Sequence, residues 1–138
     1  MEVAPGPTSD IGRRMLAGYA ALSEGDIDQV LELLDPEVEL HDRPESPDAS
    51  VYHGLDGART AFDTSIEMFH DFELVPQALY ETPTDIVVVL QMRGHGRESG
   101  VPVDDRIAHH WTMRDGRPVR CQVYSDPDEA LSAAGIER

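Results

Sequence analysis

The stretch Arg106-Ile-Ala-His-His-Trp-Thr-Met-Arg-Asp-Gly-Arg-Pro-Val-Arg-Cys-Gln-Val-Tyr-Ser-Asp126 decides how the chain is read. It predicts two strands joined by a tight turn at Asp115-Gly116, because a two-residue hairpin turn needs residues that tolerate left-handed backbone. Side chains alternate faces along a strand, so Ile107, His109, Trp111 and Met113 share one face. Ala108, His110 and Thr112 take the other. One face therefore carries a histidine and the only tryptophan of the chain among apolar neighbours. A concave face of that composition is a pocket wall with one titratable group in it.

Upstream of the hairpin the chain supplies what closes over this wall. Residues 1–7 hold two prolines and a glycine and are expected to be a flexible arm, leaving 8–138 as one domain. Thr8-Ser9-Asp10 offers N-caps for a helix whose apolar positions are Ile11, Met15, Leu16, Tyr19 and Leu22, ending at Ser23-Glu24-Gly25. Asp26, with Gln29 three residues on, opens a second helix that Pro36 stops. Glu37 to Asp42 alternates with period two, placing Val38, Leu40 and Asp42 on one strand face. Arg43 to Gly54, with Pro44 and Pro47, reads as a loop. Leu55 to His70 reads as a third helix with the stripe Ala58, Ala61, Phe62, Ile66 and Phe69. Asp71–Glu81 and Ile86–Arg97 read as strands either side of a turn at Thr82–Asp85. The first half of the second is apolar on both faces, which predicts cover on both sides: helices on one, a partner on the other. After the hairpin, Asp126-Pro127-Asp128-Glu129 is an N-cap, a proline at the first helical position and a capping acid, opening a short last helix through Ala134. Helices on one face of a curled antiparallel or mixed sheet make an α+β cone, with three N-terminal helices over the concave face and a short C-terminal helix.

Composition narrows the classes of function. The 138 residues carry a net charge of −16, with 40% hydrophobic residues and one cysteine. That charge argues against nucleic acid and against an anionic membrane surface, both of which need clustered Lys and Arg. All eleven basic residues are arginine, so no lysine is present for Schiff-base chemistry. A single cysteine makes no internal disulfide. With neither a spanning apolar run nor a signal-peptide pattern, a cytoplasmic location is expected. The six histidines show no metal-ligand spacing, so neither a metal nor another cofactor is expected.

The chain resembles the SnoaL-like branch of the ketosteroid isomerase and nuclear transport factor 2-like superfamily. The resemblance is carried by Tyr19-Ala-Ala-Leu-Ser-Glu-Gly-Asp-Ile-Asp28 with Leu33 to Asp42, by Val51-Tyr-His-Gly-Leu-Asp-Gly57, and by Ile107 to Asp126. It implies the cone fold, a small-molecule pocket and dimerisation through the outer sheet face, where Val87, Val89, Arg120, Gln122 and Tyr124 are expected. In the isomerases an aspartate at the end of the first strand moves the substrate proton, and its position falls on Asp42. The aspartate that binds the developing oxyanion is replaced by His109. The tyrosine donor position falls on Gly18, one residue from Tyr19, and one residue turns a helical side chain by about 100°. The isomerase donor pair is therefore not reproduced.

Asp42 as base and His109 as acid form the expected catalytic pair, suited to isomerase, lyase, cyclase or epoxide-opening chemistry on a small apolar substrate. Tyr19, Tyr52, Phe62, Phe69, Met92 and Trp111 are the expected substrate-binding residues. Each has a plainer alternative: a turn-capping aspartate, a histidine tied up in the core, ordinary core aromatics. The corresponding alternative for the whole chain is a ligand-binding or structural dimer without turnover.

Overall fold

A computed structural model describes residues 3–45 and 50–137. Two helices, α1 (Asp10–Ser23) and α2 (Ile27–Leu33), are followed by two short strands, β1 (Glu39–His41) and β2 (Val51–His53). Helix α3 (Gly54–Met68) leads into β3 (Phe69–Glu81), β4 (Asp85–Gly96), β5 (Pro102–Arg114) and β6 (Arg117–Tyr124), and α4 (Pro127–Ala133) closes the chain. The six strands form one sheet in the order β2-β1-β6-β5-β4-β3. All neighbours are antiparallel except β1 and β6, which run parallel with Leu40 opposite Cys121. This is the expected α+β arrangement, with a mixed sheet left open at both edges.

The helix starts follow their caps. Ser9 accepts the Gly12 N–H at 3.0 Å, Asp26 accepts the Gln29 N–H at 3.3 Å, and Asp126 accepts the Asp128 N–H at 2.9 Å. Each satisfies a donor that the first turn leaves without an intrahelical partner. Asp115 and Gly116 both have positive φ (52° and 75°), the turn geometry that their identities predict.

Three expectations need correction. Val51–His53 is not loop but a strand antiparallel to β1; at three residues it is too short for periodicity to reveal. Residues 46–49 of the expected loop lie outside the described residues. Phe69 and His70 are not helical: Phe69 is extended (φ −131°, ψ 149°) and begins β3 opposite Gly96. The positive φ of Asp71 and the register shift between His70 and Glu73 mark an irregularity at this end of β3, which an alternation pattern cannot carry. Finally, the second side of β4 is covered from within the chain. Ile86, Val88 and Leu90 enter the main core with Met15, Tyr19 and Leu22 of α1, while Val87 packs with Ala108 against Ala130 and Leu131 of α4. Val87 and Val89, expected at a partner interface, are fully buried in the single chain. From the stretch read as an arm, the Ala4 N–H bonds to the Gln77 carbonyl and the Pro5 carbonyl accepts the Leu79 N–H, along the free edge of β3.

Candidate functional site

Strand alternation builds the site. In β5, Ile107, His109 and Trp111 point to the concave side while Ala108 and His110 point away. The ladder sets His109 between Val88 and Val123, and Trp111 between Ile86 and Cys121. Parallel pairing of β1 with β6 brings Leu40 beside Cys121. Asp42, two residues beyond Leu40, therefore shares its concave face. Helix α3 and Tyr52 of β2 close over this wall.

The cavity on this face measures about 360 Å³. Asp42 and His109 both line it, together with Trp111 and Tyr52. Phe62, Phe69 and Met92 complete the expected set, leaving only Tyr19 off its wall. Tyr19 stands behind, where it borders a smaller space of about 30 Å³ shared with His109, Trp111 and Phe62. Met68, 59% exposed, sits at the rim. Sequence reasoning missed Arg43 and Ser65 as lining residues. Helical spacing four beyond Ala61 could have found Ser65; nothing distinguished Arg43 from ten other arginines.

His109 is buried, and its Nδ1 lies 2.8 Å from the Tyr19 hydroxyl. The Trp111 indole N–H donates to the same hydroxyl at 2.8 Å. The three rings pack together, His109 tilted against Tyr19 at 5.7 Å between centroids and edge-on to Trp111 at 6.2 Å. Burial pushes the His109 pKa down to about 4, so the imidazole is neutral at physiological pH. Burial likewise holds the Tyr19 phenol well above its usual value, and raises the Cys121 thiol so that it stays protonated. A thiol in that state is wall, not nucleophile.

Asp42 is half-buried at the end of β1. Its Oδ1 accepts the Arg43 N–H at 2.7 Å, its carbonyl accepts the Gln122 side-chain amide at 2.9 Å, and its own N–H donates to the Ser50 carbonyl at 3.0 Å. The backbone on both sides is thus held. Oδ2 has no protein partner among the described residues. A mostly apolar cavity lined by a carboxyl group and by a buried, neutral imidazole can hold a small apolar molecule and handle a proton.

His110, one residue along, is on the opposite face, with Nε2 2.6 Å from Oδ1 of Asp85. Burial opposes ionisation of Asp85, but hydrogen bonds from Thr84 and His110 hold its carboxyl below the ordinary value. Among the described residues no three His, Cys, Asp or Glu side chains come together as a metal-holding group. No helix among them is long and apolar enough to cross a membrane.

Comparison with known proteins agrees with this architecture. An NTF2-like protein of unknown function from Burkholderia pseudomallei K96243 is 25% identical, with a TM-score of 0.73 over 91% of this chain and 97% of that one. TerC, whose crystal structure was obtained with polyporic acid, is 23% identical, with a TM-score of 0.73 over 90% and 97%. A protein with a ketosteroid isomerase-like fold from Catenulispora acidiphila DSM 44928, in complex with trimethylamine, is 14% identical, with a TM-score of 0.74 over 95% and 96%. No curated protein matches the chain. The model of the SnoaL-like domain matches residues 15–121, from the middle of α1 into β6. That match takes in every strand that shapes the cavity, and the chain belongs to the SnoaL-like domain family.

Proposed function

We propose that the protein is an enzyme that binds a small, largely apolar molecule in the concave cavity and performs acid/base chemistry on it. The observation that carries the reading is that Asp42 and His109 line one apolar cavity of about 360 Å³. In this reading Asp42 Oδ2 takes a proton from the substrate, and His109 supports the oxygen on which negative charge develops. Proton transfer next to a carbonyl, elimination of water, ring closure and activation of water on an epoxide all need that pair of roles. Tyr52, Phe62, Phe69, Met92 and Trp111 hold the apolar body of the substrate. The reading needs no metal or cofactor and keeps the chain in the cytoplasm. A homodimer would use the part of the outer sheet face that α4 leaves open, around Arg120 and Gln122; Tyr124 packs against the cluster under α4.

The test is turnover of a panel of small enolisable ketones, β-hydroxy ketones and epoxides by wild type, Asp42→Asn and His109→Gln. Each substitution is expected to lower the rate by about a hundredfold or more, the usual worth of a positioned acid or base. Binding of the substrate to Asp42→Asn should survive. Turnover unchanged in both variants sinks the assignment. Binding without turnover in wild type leads to the second reading, a ligand-binding module. One observation favours that reading: Asp42 already serves the Arg43 N–H, the ordinary task of an aspartate at a strand end.

A further inference from the structure

We propose that Tyr19 and Trp111 are positioning residues that fix His109 as a one-way hydrogen-bond donor, so that its Nε2 receives ligands through an acceptor oxygen. An indole N–H only donates, so the Trp111 contact at 2.8 Å obliges the Tyr19 oxygen to accept. A phenol has one proton, a buried hydroxyl left without an acceptor is costly, and the remaining partner of Tyr19 is His109 Nδ1 at 2.8 Å. The chain of bonds therefore runs from the Trp111 N–H to the Tyr19 oxygen, and from the Tyr19 O–H to Nδ1. With Nδ1 accepting, the single proton of a neutral imidazole stands on Nε2.

Nε2 has no protein partner among the described residues, and no buried polar side-chain atom among them lacks a partner, so this nitrogen is not sealed off. His109 lines both the large cavity and the smaller space behind it, and with Nδ1 taken by Tyr19, Nε2 is its open polar atom. Beside it on β5 and β6, the Trp111 N–H is committed to Tyr19 and Cys121 is a weak, protonated thiol. A ligand meeting Nε2–H must bring an acceptor such as a carbonyl or ether oxygen. A ligand group that only donates finds no partner at this nitrogen and must turn to the Asp42 carboxylate instead.

This inference rests on the reading of the cavity as a ligand site for the ligand class, but not for the proton order, and the test separates the two. Nitrogen-15 labelled histidine would be followed by long-range proton–nitrogen correlation at neutral pH, with His109→Gln identifying the signal. The wild-type His109 should show an acceptor Nδ1 and a protonated Nε2. Tyr19→Phe should shift the tautomer ratio toward Nδ1–H by about tenfold, the worth of one hydrogen bond. A wild-type ring protonated at Nδ1, or a ratio unmoved in Tyr19→Phe, overturns the proton order. The wild-type spectrum alone decides it if that variant does not fold. Acetophenone and its hydrocarbon analogue ethylbenzene, which has no acceptor, are then titrated into wild type. Movement of the Nε2 signal by the ketone alone is expected. Equal movement by the hydrocarbon overturns the ligand class, and movement by neither, with the tautomer as expected, overturns the cavity reading and leaves the proton order standing.

Discussion

His109 links the site to the stability of the whole domain. Its pKa of about 4 in the folded chain lies below the ordinary value of 6.5, so the unfolded chain binds the extra proton between those limits. Stability is therefore fully present above pH 6.5 and is lost as pH falls toward 4. Between pH 7 and pH 5 this single group should cost about 2 kcal/mol. Urea unfolding at the two pH values, compared between wild type and His109→Gln, isolates it; an equal loss in both proteins would mean that another group is responsible. Turnover, for the same reason, should show no inflection near pH 6.5. Of the residues at the site, His109 and Trp111 were legible from strand alternation alone, and Asp42 from the end of its strand. The Tyr19 contact was not, because it joins positions 90 residues apart and depends on how α1 is laid across the sheet.

At the scale of elements, closeness of approach sets the tolerances. A Cβ added at Gly18 in α1 would lie 2.8 Å from Leu33 Cδ1 of α2, so this glycine lets the two helices meet. Gly18→Ala gains about 1 kcal/mol of helix propensity, and the atom it meets is the end of the half-buried Leu33 side chain, which can turn aside, so stability in denaturant unfolding is expected to hold or rise by up to about 1 kcal/mol. A loss of about 1 kcal/mol or more would show that Leu33 is fixed in place by its neighbours. Ser9 works in two directions, accepting the Gly12 N–H and donating to Glu81, whose carboxylate also takes the Thr8 N–H. Burial opposes ionisation of Glu81, yet these donors hold its pKa below the ordinary value. Ser9→Ala should therefore cost about 1–2 kcal/mol at pH 7, at the upper end for a cap. Capping chemistry is local, which is why the starts of α1, α2 and α4 could be read from the residues. The α3–β3 boundary could not: Phe69 continues the apolar spacing of the helix, and only its pairing with Gly96 makes it strand.

At the scale of the molecule, α4 completes the domain by covering Val87 and Ala108 on the outer face of the sheet. Leu131→Ala should destabilise by about 2–4 kcal/mol, and Leu131→Asp should expose the apolar patch and drive self-association visible by sedimentation. With a net charge of −16 on each copy, association of wild type through the rest of that face should strengthen as salt is added. A sedimentation profile indifferent to salt would mean that charge does not govern it. The cone shape was legible because the order of helices and strands leaves few topologies, whereas the cover of β4 by α4 was hidden behind an equally apolar pattern on both faces. The parallel seam between β1 and β6 also sets a timetable. The antiparallel run from β3 to β6 pairs neighbours in the chain and can form early, while Leu40 can meet Cys121 only after nearly the entire polypeptide is available. On a growing chain, α1 and α2 can pack on β3 and β4 as these appear, but β1 must wait for the last strand, and the completed cavity is the final thing to exist. Cys121, the lone thiol, lies on that seam. The moment it becomes shielded from a thiol reagent during refolding would time the closing of the cone.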